Sequence, residues 1–314
     1  MNVERGRVLD GRYELLGRLG QGGIGEVWEA FDRATAAVVA VKMLHDFHRD
    51  ATMEKRFARE AELLARVQSP FVCALRANGI DRSTMTPYLV VERLTGDPLD
   101  RALPRRRPLP FEEARRYTEE ILRGLAAVHD AGIVHRDLKP GNVFLADDER
   151  GRRAVLIDFG IGKLLGGDGL TTKAATLGSP RFMAPEQLEG SANADERCDV
   201  YAAATVAFRM LVGKLPFDGD NPMQTLALKT TYDAPSLAER SGEAWPQGIE
   251  RFFAAALARD PRARPRTGAA CLAQWLEACR ELAPPPRPTG MTRPVEADEI
   301  EADDPTPLLS RGRR

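Results

Sequence analysis

The sequence is short of cysteine. Its 314 residues hold four, Cys73, Cys198, Cys271 and Cys279, scattered along the chain. That number and spacing exclude a disulfide framework and a cysteine-based zinc site. The four read as small buried or half-buried side chains in a reducing cytosol. Long apolar runs are missing too. No stretch of about 18 apolar residues and no signal-peptide pattern occurs, so no membrane span is expected. Neither sign of charge is in excess: 45 Lys+Arg stand against 46 Asp+Glu, net −1. Composition therefore gives no argument for nucleic acid as a partner. Lysine is scarce, 7 residues against 38 arginines, a skew that codon bias in a GC-rich genome explains. No internal repeat is found.

Apolar material is ample. At 43% of the chain it suits one large domain or two lobes with a sizeable core. Residues 1–12 read as a lead-in. Residues 13–43 read as strands: apolar residues alternate in Tyr13-Glu14-Leu15, a glycine-rich turn follows, then Val27-Trp28 and the run from Ala37 to Val41. From Met53 to Val67 the period is helical, with Phe57, Ala61 and Leu64 at i, i+4, i+7. Glu60 shares that face, where a carboxylate is unexpected. Phe71 to Val91 returns to strand-like runs. Phe111 to Ala131 is one long helix stopped by Gly132, and Cys198 to Val212 is a nearly all-apolar helix that should be deeply buried. Helices are also expected over Ile249–Arg259 and Gly268–Leu282, separated by a segment whose Pro261 and Pro265 break the first. Residues 283–314 open on Pro284-Pro285-Pro286-Arg287-Pro288 and carry an acidic run from Glu296 to Asp304. This tail is expected to be disordered and solvated, with substrate docking or tethering as alternatives.

Residues Gly20, Gln21, Gly22, Gly23, Ile24, Gly25, Glu26 and Val27, with Leu19 just ahead, fit G-x-G-x-x-G-x-V. Glycines let bare N–H groups approach phosphate oxygens. The pattern alone equally fits a dinucleotide fold or a plain hairpin turn. Strand-like residues on both sides favour a hairpin lid over phosphates. Twelve residues after Val27 begins Val39-Ala40-Val41-Lys42. Lys42 ends a buried-looking strand, where an unpaired ammonium is costly, and Glu60 is the anion the helix supplies. Lys42 is thus expected on the α- and β-phosphates with Glu60 holding it. The alternative is an edge-strand lysine pointing to water.

His135-Arg136-Asp137-Leu138-Lys139-Pro140-Gly141-Asn142, followed by Asp158-Phe159-Gly160, has the order and spacing that phosphoryl transfer requires. Asp137 is the candidate base, and Lys139 the cation that neutralises the moving phosphoryl charge. Asn142 and Asp158 are a sparse oxygen set, suited to Mg²⁺ that keeps waters and takes other ligands from a nucleotide. The bland alternative makes both aspartates turn residues. The segment ending in Ala184-Pro185-Glu186 carries Thr171, Thr172, Thr176 and Ser179, and Arg136 is a ready partner for a phosphothreonine there. Glu186 is expected to pair with Arg264. Asp199 is expected to cap the apolar helix and to accept from the backbone of His135 and Arg136.

Together these motifs resemble the protein kinase family, in particular bacterial eukaryotic-like serine/threonine protein kinases, from Tyr13 to about Cys279. The resemblance implies an α+β bilobal fold: a small antiparallel-sheet lobe with one helix (13–93) and a larger, mainly helical lobe (94–282). It implies ATP and Mg²⁺, or Mn²⁺ in its place, in the cleft between them. Val91 would be the gatekeeper, Glu92 and Leu94 would touch adenine through their backbones, and Val27 and Ala40 would roof it. It implies transfer to Ser/Thr hydroxyls of protein substrates, a cytoplasmic signalling role, and activation by autophosphorylation in the 159–183 loop, through a transient homodimer. Lys139 and Gly178-Ser179 favour the serine/threonine branch. Pro98 stands where relatives place an acidic ribose contact, so Asp97 serves instead or nothing does. Gln68-Ser69-Pro70, Ala204 and Phe182 also depart from the pattern, without removing a chemical group. A pseudokinase scaffold is disfavoured because Lys42, Asp137 and Asp158 are all kept. A small-molecule kinase is disfavoured by the peptide-docking stretch 178–186. Many bacterial relatives continue into a membrane span and an outer sensor, so a chain ending here is expected to take its trigger from the cytoplasm or a partner. Arg105-Arg106-Arg107 reads as an exposed basic face, with acidic partners as the alternative.

Overall fold

Alternating apolar residues set the first half of the fold. A computed structural model describes residues 5–22, 25–44, 51–103, 107–149, 151–159, 179–188 and 194–280, with the backbone alone at 22, 51–53, 56 and 179. Strands β1 (Val8–Leu9), β2 (Tyr13–Gly22), β3 (Gly25–Asp32), β4 (Ala37–Leu44), β5 (Leu75–Asp81) and β6 (Thr86–Glu92) form one antiparallel sheet in the order β1-β2-β3-β4-β6-β5. The register opposes Val27 to Lys42, Lys42 to Leu89, and Ala40 to Val91. Directly opposed residues share a face. Val27, Ala40, Lys42, Leu89 and Val91 therefore line one side of the sheet. The other side buries Leu15, Trp28, Ala30, Val39, Val41, Met43, Tyr88 and Val90 in a separate core. Helix α1 (Ala51–Ala65) lays Phe57, Ala61 and Leu64 into the main core, as its period predicts.

A second sheet was not foreseen. Strands β7 (Gly96–Pro98), β8 (Val143–Asp148) and β9 (Gly151–Leu156) pair antiparallel. Backbone bonds from Cys73 N to Leu156 O and from Leu156 N to Phe71 O, both 2.9 Å, join β9 to the segment ahead of β5.

The rest is helical. After the short α2 (Leu99–Ala102) come α3 (Phe111–Asp130), α4 (Glu196–Val212), α5 (Pro222–Thr231), α6 (Leu237–Ser241), α7 (Gln247–Ala256) and α8 (Gly268–Arg280). Gly132 (φ 75°) follows α3 and Gly213 (φ 75°) ends α4, both left-handed positions that favour glycine. The expected cap at Asp199 is corrected. Helix α4 begins at Glu196, and Asp195 caps it by accepting from Arg197 N at 3.0 Å. Asp199 lies inside the first turn, its oxygens spent on other donors. Helix α4 is buried along nearly its whole length, and α3, α7 and α8 pack around it. All described residues fall in one unit, Met1–Ala283. Among them, no helix is long and apolar enough to cross a membrane.

An aromatic cluster closes this core. Trp275 of α8 is fully buried and packs on Phe252 and Phe253 of α7, with ring centroids 5.0 and 6.3 Å apart. Phe253 meets Phe208 of α4 edge-on at 5.6 Å. Trp275→Ala should cost about 3–5 kcal/mol. Urea unfolding should show a lower midpoint at an unchanged slope. A loss below about 1 kcal/mol would mean that the cluster closes over the gap or contributes little.

Candidate active site

The loop 135–142 between α3 and β8 is shaped from beneath by one carboxylate. Asp199, 1% exposed, accepts from His135 N and Arg136 N, each at 2.7 Å. Its third partner is His129 Nε2 at 3.0 Å. His129 Nδ1 accepts from Gly268 N at 2.9 Å, so the ring proton sits on Nε2 and is donated to Asp199. Burial pushes the Asp199 carboxyl up, but these donors, led by His129, outweigh it and hold the group below its ordinary value. Arg136 takes a left-handed backbone (φ 62°), a strained choice for a side chain of that size.

The loop then presents its chemistry. Lys139 Nζ donates to Asp137 Oδ2 at 2.8 Å. Asn142 Nδ2 donates to the Asp137 carbonyl at 2.7 Å and to Asp137 Oδ2 at 3.0 Å. Ile157 N donates to Asn142 O at 3.0 Å, which sets the next residue, Asp158, beside Asn142. Asp158 is also left-handed (φ 57°). His135 Nε2 lies 3.1 Å from Ile157 O, and its ring packs at a tilt of 46° against Phe159 with centroids 4.9 Å apart. From the sheet, Lys42 Nζ reaches Asp158 Oδ1 at 2.7 Å. Lys42, Asp158, Asn142, Asp137 and Lys139 therefore form one connected group.

That ion pair corrects an expectation. Lys42 pairs with Asp158, and no Lys42–Glu60 ion pair forms. The ammonium is largely buried and takes the nearest carboxylate, while Glu60 stays half-buried on α1. Among the described residues no cluster of three or more His, Cys, Asp or Glu suits a metal. Asn142 Oδ1 and Asp158 Oδ2 carry no hydrogen bond within the described residues. Two oxygen donors fit a magnesium ion that draws its remaining ligands from water and phosphate.

The phosphate-loop residues are partly placed. Gly20 opposes Val27 and Gln21 opposes Glu26 across β2 and β3, with a bulge that includes Leu19. Gly25 is sterically required, because any Cβ there would collide with the Met43 carbonyl on β4. Glu26 points to the face opposite Val27 and Lys42, where its carboxylate accepts from Trp28 Nε1 at 3.0 Å. Its side chain thus braces the sheet rather than facing the cleft. Gly23, Ile24, Gly160, Thr171, Thr172 and Thr176 lie outside the described residues. Ser179 has only its backbone described, in a 3-10 turn over Ser179–Arg181.

At the segment after β6, Glu92 exchanges bonds with Ala74: Glu92 N donates to Ala74 O, and Glu92 Oε1 accepts from Ala74 N, both at 3.0 Å. The Arg93 guanidinium bonds to Glu29 at 2.9 Å and to the Leu94 carbonyl. Val91, Leu94, Phe144 and Ile157 pack against Cys73, Ala146 and Val155. Phe144 and Ile157 were missed from sequence. The signal was there, since each lies in an apolar run within two residues of Asn142 or Asp158. Asp97, next to Pro98 on β7, is half-buried and pairs with Arg152 at 3.5 Å.

Below the loop, Arg264 grips Glu186 with both arms, at 2.6 and 2.9 Å. Gln187 accepts from Ala184 N at 2.9 Å and donates to Arg136 O at 3.3 Å. Asp137, Lys139, Phe182, Met183 and Gln187 border one small cleft.

Residues 13–276 match the family described as protein kinase domain. The chain is similar to serine/threonine-protein kinase pkn2 of Myxococcus xanthus, 41% identical over 70% of this chain and 26% of that one. It is 36% identical to DNA damage-responsive serine/threonine-protein kinase RqkA of Deinococcus radiodurans, over 90% of this chain and 42% of that one. Against serine/threonine-protein kinase PknA of Mycobacterium tuberculosis the identity is 32%, over 95% and 68%. The chain thus spans less than half the length of the first two relatives. Its fold is similar to the crystal structure of the PknI kinase domain of M. tuberculosis, with a TM-score of 0.68 at 24% identity, over 88% of this chain and all of that one.

The Asp199 hub gives a pH prediction. A carboxyl held below its ordinary value contributes stability that is complete above about pH 4 and is lost as pH falls through the folded-state value. Asp199→Asn should cost about 1–3 kcal/mol at pH 7, by leaving loop N–H groups poorly paired. It should also lose less further stability on acidification than wild type. Thermal unfolding from pH 7 to pH 3 measures both, and equal acid losses in the two proteins would contradict the assignment.

Proposed function

The chain belongs to the protein kinase family, and from that membership we propose that it transfers the γ-phosphoryl group of ATP to serine and threonine hydroxyls of proteins. The observation that carries this is the connected group Lys42–Asp158–Asn142–Asp137–Lys139. It supplies in one place the cation, the metal-binding oxygens and the base that the reaction needs. The domain responsible is taken as residues 13–282.

In this reading the adenine lies under Val27 and Ala40, against Val91, Leu94, Phe144 and Ile157, and meets the backbone of Glu92 and Leu94. Lys42 neutralises the α- and β-phosphates. Asn142 and Asp158 would hold Mg²⁺, or Mn²⁺ in its place, which neutralises charge on the phosphate oxygens. The acceptor hydroxyl oxygen attacks the γ-phosphorus, the bond to the β-phosphate oxygen breaks, and ADP leaves. The hydroxyl proton passes to Asp137. Lys139, already 2.8 Å from Asp137, stays beside the moving phosphoryl group and offsets its charge.

Autophosphorylation at Thr171, Thr172 or Thr176, in a transient homodimer, is the proposed activation step. Arg136 is the proposed partner of the new dianion. Incubation with Mg²⁺, labelled ATP and a basic protein, followed by mass spectrometry, tests the activity. No label on the chain or the acceptor, across several metals, would reject it.

Two outcomes are expected. Asp137→Asn should lower kcat about 100- to 10,000-fold with ATP affinity unchanged, measured by steady-state kinetics and calorimetry; near-normal turnover would remove Asp137 from the chemistry. The triple Thr171→Ala, Thr172→Ala, Thr176→Ala protein should stay at the low rate that wild type shows before preincubation with ATP. Full activity of the triple variant from the first seconds would reject the activation step.

A further inference from the structure

Lys229 sits near the end of α5, and its whole side chain is buried at 1% exposure. A buried ammonium ordinarily has a carboxylate partner. This one has none among the described residues. Its Nζ instead donates to three backbone carbonyls: Pro180 at 3.0 Å, Arg181 at 2.7 Å and Met183 at 2.9 Å. The Tyr201 ring lies 5.4 Å away, and the Arg264 guanidinium lies 4.8 Å from the same ring. The carbonyls belong to the stretch that carries Phe182 and Met183 to the cleft bordered by Asp137 and Lys139.

We propose that Lys229 is a positioning residue: its ammonium pins the backbone of residues 180–183 in the shape that docks the acceptor peptide beside Asp137. This rests on the kinase reading of the cleft. Helix α5 packs on both short turns of that stretch, Ser179–Arg181 and Pro185–Leu188. A chain turn with three carbonyls converging on one point repels itself unless a cation sits there. An ammonium has three N–H donors for three acceptors, and a neutral amine has two donors and a lone pair facing the third oxygen.

The protonation state is poised. Burial lowers the Lys229 pKa to about 7, while the carbonyl dipoles favour the charged form. The charged and titratable groups on the surrounding elements make no hydrogen bond or ion pair with Lys229. Arg181 faces Asp218 at 3.8 Å, and Glu186 is held by Arg264. Arg259 donates to the carbonyls of Thr230 and Thr231. Arg209 and the Tyr201 phenol lie on α4 without a bond to Lys229. The clamp is complete below about pH 7 and loses its third bond above it. Global stability moves the other way: the unfolded lysine holds its proton to 10.5, so raising pH through 7 does not unfold the protein through this group.

The test uses the full chain. Wild type and Lys229→Met are compared at about pH 6.5 and about pH 8.5, with a Ser/Thr peptide and ATP varied separately. At the lower pH the variant should show a peptide KM about tenfold higher, with the KM for ATP unchanged. The wild-type peptide KM should rise toward the variant's at the higher pH, and the variant's should stay flat. Equal peptide KM values at the lower pH would overturn the proposal. A wild type that labels no acceptor at all would instead reject the kinase reading. In that case, or if Lys229→Met does not fold, hydrogen exchange on wild type decides. Amides of Arg181, Phe182 and Met183 should lose protection between the two pH values, beyond the intrinsic rise in rate and without any fall in melting temperature. Unchanged protection would overturn the clamp.

Discussion

One buried carboxylate fixes the geometry on which the site depends. Asp199 is out of water and must have its oxygens satisfied. Its partners include two consecutive amides of the loop 135–142 and a histidine from α3. The histidine in turn accepts from the first residue of α8. A single acid therefore ties α3, α4, α8 and the loop together. The arrangement also stabilises strain. Arg136 and Asp158 have positive φ, which costs on the order of 1 kcal/mol or more each. The Arg136 amide is held by Asp199 and the Asp158 carboxylate by Lys42. The two strained residues lie on either side of Asp137 and Asn142 in the chain, and each is fixed by an ionic group.

The legibility of the chain follows from which interactions are local. The helical period of Phe57, Ala61 and Leu64, the long α3 and the all-apolar α4 were readable because neighbours on one helix share an environment. The grouping of Asp137, Lys139, Asn142 and Asp158 was readable because the proposed reaction would need those groups close together. Failures came where partners are remote. The β7–β8–β9 sheet pairs Gly96–Pro98 with residues almost fifty positions later, and β7, three residues long, is too short to announce itself. Asp195, Glu196 and Asp199 are all acids near the start of α4. Only the tertiary structure separates the cap from the buried hub. Glu60 and Asp158 were equally able to neutralise Lys42 on chemistry alone, and packing decided between them. Glu26, inside the glycine motif, turned away because β-strand alternation overrules membership of a motif.

Lysine usage draws these threads together. The chain takes 38 of its 45 basic residues as arginine, so each lysine stands against a strong compositional tide. Lys55 and Lys214 are exposed. The other lysines of the described residues occupy confined positions. Lys42 reaches a single carboxylate from inside a strand, Lys139 touches Asp137 of the loop 135–142, and Lys229 sits where three carbonyls converge. A guanidinium is planar and spreads its donors over a wide fork; an ammonium is a compact point charge with donors directed around one atom. Arginine suits the flat, two-armed contact with Glu186, and it cannot reproduce a three-fold cage of carbonyls around one nitrogen. Codon bias accounts for the abundance of arginine. The shape of the charge accounts for the places where lysine persists.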